Sequence, residues 1–247
     1  MTREQVSIRT NDGDCRAWVF SPEGSGPWPA AIIYMDAPAI RPALLDFGER
    51  LASNGYLTLL PDLFYRDGVY EPMDISTIFS DETKRAALFA KMGRCTSLEA
   101  IRTDTSAFLE FLDNRTDVKG PKVGVTGYCM GGRIALVAAA EFPDRIAAAG
   151  SFHPGGLVTD QPESPHLLAP NIKAKVYVGG ADEDAHFTRA HAATLGEALA
   201  GAGVDSRVEI YDGAMHGYTM PDMRVYNEAA AERHWDELLA LFDSKLK

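Results

Sequence analysis

The 247-residue chain is 46% hydrophobic and 24% charged, which excludes a fibrous or disordered protein and fits an ordinary globular one. Its 35 acidic against 24 basic residues leave a formal charge of −11. Such a surface repels phosphate backbones and anionic lipid, and no basic run opposes it, so neither nucleic acid nor membrane is expected as a partner. The opening MTREQVSIRT lacks the apolar stretch of a signal peptide, and IALVAAA at 134–140 is too short to span a bilayer; a cytoplasmic protein is expected. Cys15, Cys95 and Cys129 are odd in number, scattered and without a C-x-x-C pair, so each is weighed alone.

In chain order, strands are predicted near 5–9, 15–20, 30–35, 56–60, 122–126, 146–151, 175–179 and 207–211. TNDGD between the first two is a hairpin signal, so the sheet begins antiparallel and turns parallel once helices alternate with strands. Helices are predicted over 41–54, 83–92, 97–114, 130–141, 186–202 and 224–243. The alternation defines an α/β fold of about eight mostly parallel strands with helices on both faces, as one domain over 1–247. The proline-rich connection 153–171 is long enough to border a site as a lip or partial lid.

Gly127-Tyr128-Cys129-Met130-Gly131 has the G-x-C-x-G spacing of a nucleophile elbow with cysteine for serine, between a strand and a helix. The turn is strained and the glycines let strand and helix approach; the central side chain then projects above the sheet. The N–H of Met130 opens the helix and can hold an oxyanion, and the positive helix end favours thiolate. A buried structural cysteine is the plainer reading of a lone residue, but strand, elbow and helix in succession favour a nucleophile.

An elbow requires a later acid and then a histidine, each in a loop after a strand. VYVGG at 176–180 is followed by Ala181-Asp182-Glu183-Asp184, and VEIYDGA by Met215-His216-Gly217. Asp182 is the candidate acid, with Asp184 a competitor two positions on, and His216 is the candidate base. His166, His186, His191 and His234 read as exposed loop or helix residues. His153, after the strand that follows the elbow, is a candidate to face the same pocket, as is Tyr128 within the elbow.

GYCMGG, GGADED, DGAMHGY and YMDAPAIRP together resemble the dienelactone hydrolase family, a branch of the α/β hydrolases, over nearly the whole chain. The resemblance implies a Cys129–His216–Asp182 triad that needs no cofactor or metal. It implies attack on an ester or lactone through a thioester, with the oxyanion held by N–H groups of Met130 and Ala37. The family's glutamate after the third strand, which engages the resting thiol, is here Asp36, one methylene shorter; a capping aspartate at a strand end is the equal alternative. Of two family arginines that grip a substrate carboxylate, one position holds Met220, the other corresponds to Arg85, and Arg224 lies one turn beyond Met220 as a substitute.

A broad carboxylesterase or thioesterase with the same triad is the alternative enzyme, and a catalytically silent ligand-binding relative the alternative from another class. A metal hydrolase is disfavoured, since His186 and His191 lack an H-E-x-x-H frame. The expected partner is a small ester or lactone, bound by a monomer or weak homo-oligomer.

Overall fold

The computed structural model describes residues 1–70 and 73–247. The chain divides into two compact units, Met1–Gly120 and Pro121–Lys247. The first contains β1 (Thr2–Thr10), β2 (Gly13–Ser21), β3 (Trp28–Tyr34) and β4 (Leu57–Pro61), ordered β1-β2-β4-β3. β1 and β2 form the expected hairpin, closing with Thr10 opposite Gly13. β2 is antiparallel to β4, whereas β3 and β4 are parallel, so the change of direction predicted from TNDGD is present.

Three helices complete this unit: α1 (Pro42–Ser53), α2 (Glu82–Cys95) and α3 (Leu98–Asp113). Each starts where local chemistry permits. Pro42 opens α1, where its missing N–H costs nothing. The Asp81 carboxylate accepts from the Lys84 N–H at the head of α2, and the Ser97 hydroxyl from the Ala100 N–H at the head of α3. α1 packs tightly on β2: a Cβ at Gly48 would lie 2.3 Å from the Phe20 ring.

The second unit takes in most of β5 (Val118–Tyr128), then α4 (Met130–Glu141), β6 (Ile146–Phe152), α5 (Pro165–Leu168), β7 (Lys175–Glu183), α6 (Arg189–Gly201), β8 (Ser206–Met215) and α7 (Glu228–Leu246). β5, β6, β7 and β8 are neighbours in that order and all parallel. α4 is apolar nearly all round and buried from Ile134 to Ala140, beside a β6 of small residues. α7 lies close on glycine positions: a Cβ at Gly124 would meet the Phe242 ring at 2.7 Å, and one at Gly150 would meet Leu238 at 3.1 Å. Each buried Leu or Phe contributes about 1.5–3 kcal/mol of hydrophobic stabilisation, which fixes the strand ends that carry the site.

The expected elements are all present, with shifted ends. α6 begins at Arg189 rather than 186 because Thr188 caps it, its hydroxyl accepting from the His191 N–H while His191 Nδ1 accepts from the Thr188 N–H. α7 starts at Glu228 rather than 224 because the Asn227 side chain accepts from the Ala230 N–H. The 153–171 connection holds the unpredicted α5 and is tied internally by buried Ser164, whose hydroxyl accepts from the Thr159 N–H and donates to the Leu157 carbonyl. Among the described residues no helix is long and apolar enough to cross a membrane.

Candidate active site

Cys129 sits between β5 and α4 with φ 55° and ψ −117°, a conformation costly for any residue with a Cβ. The strain is held from both sides. The Cys129 N–H donates to the Phe152 carbonyl of β6, and its carbonyl accepts from the Gly132 N–H. A Cβ at Gly127 would fall 1.9 Å from the Gly131 carbonyl oxygen, and one at Gly132 would fall 2.6 Å from Ser151 Oγ. Only glycine permits this crossing, the close approach anticipated from the motif. Met130 is the first residue of α4, which places its N–H at the helix start.

His216 follows β8, hydrogen-bonds the Asp184 carboxylate and interacts electrostatically with Cys129. The Nδ1–Oδ2 distance is 2.7 Å, and Asp184 is almost wholly buried. A carboxylate only accepts, so Nδ1 carries the hydrogen and Nε2 is the nitrogen left for sulfur. The other Asp184 oxygen accepts from the His186 N–H at 2.8 Å. Burial alone would depress the imidazole pKa; the hydrogen bonds and charges of Asp184 and Cys129 outweigh it and raise His216 to about 10.

The carboxylate paired with His216 is therefore Asp184, not Asp182, the acid expected from the sequence. The Asp182 carboxylate accepts instead from Arg189 Nη2 at 2.5 Å and from the Gly213 N–H at 3.1 Å. The Gly213 amide and the Arg189 guanidinium hold it below the usual carboxylate range.

Four further expectations change. Tyr128 does not line a pocket: it is fully buried, its hydroxyl 2.9 Å from His234 Nε2. His234, read as exposed, is itself buried and its Nδ1–H donates to the Ala231 carbonyl, leaving Nε2 to accept from Tyr128. His153 is likewise buried rather than facing substrate. Its Nε2 lies 2.7 Å from Thr219 Oγ1 and its ring stands edge-on to His216 at 5.3 Å. The exposed His186, dismissed from sequence, packs against His216 at 5.4 Å, so the catalytic imidazole candidate has a second imidazole on either side.

In the first unit, Asp36 is buried and its two oxygens accept from Arg41 Nη1 at 2.6 Å and Nη2 at 2.9 Å. This bidentate pair clamps the 36–41 turn; Arg41 was missed, although it stands in the same DAPAIR run. Ala37 is buried in that turn. Arg85 is exposed on α2, with Nη1 3.4 Å from the Phe79 carbonyl, and Arg224 is exposed beyond the turn after His216. Met220 is fully buried, so the position that resembles a family arginine site faces the core. Among the described residues no group of three His, Cys, Asp or Glu is placed to hold a metal ion.

A cysteine at a strained strand–helix elbow, a histidine after a later strand and an acid between them define an α/β-hydrolase site. A structure from Klebsiella pneumoniae subsp. pneumoniae MGH 78578, described as that of a "Putative Dienelactone Hydrolase", shares the fold with a TM-score of 0.81 at 23% identity, covering 98% of each chain. The dienelactone hydrolase from Anabaena variabilis ATCC 29413 gives 0.71 at 20% identity, covering 100% of this chain and 99% of its own. The Salmonella typhi protein named "Putative carboxymethylenebutenolidase" is 27% identical over 248 residues, 96% of this chain and 85% of that one. The dienelactone hydrolase family model matches residues 15–246, spanning both units, and the chain belongs to that family of carboxylic ester hydrolases.

Proposed function

We propose that the protein hydrolyses a small ester or lactone without a cofactor, through a Cys129–His216–Asp184 triad. The observation that carries this is His216, bonded to buried Asp184 through Nδ1 and interacting electrostatically with Cys129 at the elbow. In this mechanism Cys129 and His216 stand as a thiolate–imidazolium pair, the thiol proton having passed to His216, and the sulfur attacks the substrate carbonyl, forming a C–S bond. The carbonyl oxygen takes the negative charge and is met by the N–H of Met130 at the start of α4. Collapse breaks the C–O bond, His216 protonates the leaving alkoxide, and a thioester remains. Water then loses a proton to His216 and attacks the thioester; the acid leaves and the thiolate–imidazolium pair is restored.

Asp184 keeps the hydrogen on Nδ1 and stabilises the imidazolium that forms in both halves. With Met220 in the core, an anionic substrate finds no cation there, and Arg224, exposed in the same unit as Cys129, is the candidate to meet one. The whole chain, 1–247, is proposed to act as one hydrolase domain, since the family match runs across both units.

The test is a rate comparison of dienelactone with a neutral p-nitrophenyl ester, together with intact-mass detection of an acyl adduct on Cys129 after rapid acid quench. Turnover with an adduct that is absent from Cys129→Ala supports the reading. No turnover of either substrate, with the thiol alkylating normally, would instead favour a silent ligand-binding relative.

A further inference from the structure

β7 and β8 run in a regular parallel register from Val176 opposite Ser206 to Ala181 opposite Tyr211, each β7 residue facing the one 30 further on. The register then slips, and Glu183 faces Met215, 32 further on. One residue of β7, Asp182, thus stands across from three of β8: Asp212, Gly213 and Ala214. The slip decides where His216 lies. Continued at the regular offset, Asp184 would stand level with Ala214, and His216 would lie two residues farther along its strand, roughly 6–7 Å away at ~3.3 Å per residue. With the slip, Asp184 is level with His216, and the 2.7 Å bond forms.

The slip is pinned by one carboxylate. Asp182 Oδ2 accepts from the Gly213 N–H at the centre of the extra residues, where φ is +71°. Its Oδ1 accepts from Arg189, whose same nitrogen also reaches Asp212 Oδ1 at 2.8 Å. A bulge leaves N–H groups without ladder partners, and here a side chain supplies one. Arg189 begins α6, so the brace also fixes the bulge to a helix.

We propose that Asp182, with Arg189, is a positioning residue for catalysis: it holds the two-residue slip of β8 that brings His216 level with Asp184. This rests on the reading of His216 as the catalytic base. It gives the aspartate first taken for the acid a different task in the same site.

The experiment measures kcat, KM and the His216 imidazole titration by NMR in Asp182→Ala, Asp182→Asn and Arg189→Met, with folding checked by circular dichroism. Asp182→Ala is expected to lower kcat by about tenfold to a hundredfold, as displacement of a catalytic group by an ångström or so does, with KM little changed. The His216 titration midpoint should fall with it, because the Asp184 bond is one of the interactions that raise it. Asp182→Asn keeps an oxygen for the Gly213 N–H and should recover most of the loss; Arg189→Met should give a smaller loss in the same direction and serves if Asp182→Ala fails to fold. An unchanged kcat and titration in Asp182→Ala overturns the proposal. So does an Asp182→Asn loss as deep as that of Asp184→Asn, which would make Asp182 the acid after all. The titration is read without substrate, so the brace is tested even if Cys129→Ala retains activity and the proposed chemistry fails.

Discussion

The two units contain thiols in opposite environments. In the first, Cys15 and Cys95 are buried, and Asp104 bears on both. Burial, then the charge of Asp104, pushes both thiols up, Cys95 to about 12. In the second, Cys129 is partly exposed on a strained turn, interacting electrostatically with an imidazole that favours its cationic form. The same side chain is inert packing in one unit and a nucleophile candidate in the other, and the neighbours decide which.

The largest effect should come from removing that contrast. Cys129→Ala is expected to cut kcat at least about a thousandfold, since the residues of such a constellation act as a unit. The fold should survive, as the turn tolerates a smaller side chain. In the native wild type, iodoacetamide at neutral pH should modify Cys129 while Cys15 and Cys95 stay unlabelled until the chain is unfolded, a pattern read by peptide mass spectrometry. Labelling of all three at equal rates would erase the comparison.

Next in size is the acid. Asp184→Asn should lower kcat by about 10³–10⁴-fold through loss of the correct imidazole tautomer. Alkylation of Cys129 should slow in the same variant. If activity survives intact, His216 does not need the buried carboxylate it is bonded to.

How much of this was legible beforehand follows from how local each cause is. The elbow was readable because its requirements are steric and contiguous: Gly127, Gly131 and Gly132 are needed within a few residues of Cys129. The sheet's change of direction was readable from the TNDGD turn for the same reason. The partner of His216 lies two residues beyond the expected Asp182 because the slip between β7 and β8 is set by pairing across strands, which neither segment announces alone. Tyr128 was misassigned for a related reason: it is next to Cys129 in sequence, yet its side chain is directed into the core onto His234, which sits in α7 more than a hundred residues away. The imidazoles of His153 and His186 meet His216 only through tertiary packing.

A third prediction concerns the carboxylates rather than the thiols. Asp36 with Arg41 and Asp184 with His216 are both buried acids with a cationic partner, but the Arg41 pair ties together a turn. Removing one member, as in Arg41→Met, leaves a buried charge and should cost about 3–5 kcal/mol, visible as a lower urea midpoint. Replacing both, Asp36→Leu with Arg41→Met, should recover much of that. A double variant as unstable as the single one would mean that the pair does more than neutralise itself.

The last effect is in the pH dependence of stability, and its sign follows from His216. Its folded pKa of about 10 stands above the ~6.5 of an unfolded histidine. The folded state therefore holds a proton that the unfolded state gives up between these values. The associated stabilisation is complete below about pH 6.5 and is lost as pH rises through about 10. His216→Gln removes it, so the gap in unfolding free energy between wild type and variant should be widest near pH 6 and should close by about pH 10.5. Cys15 and Cys95 are present in both proteins, and their contribution cancels in the difference. Urea titrations at a series of pH values measure it. A gap that widens with rising pH would reverse the sign and show that the imidazole is held neutral, which would leave Cys129 without the cationic partner that sets it apart from the two buried thiols.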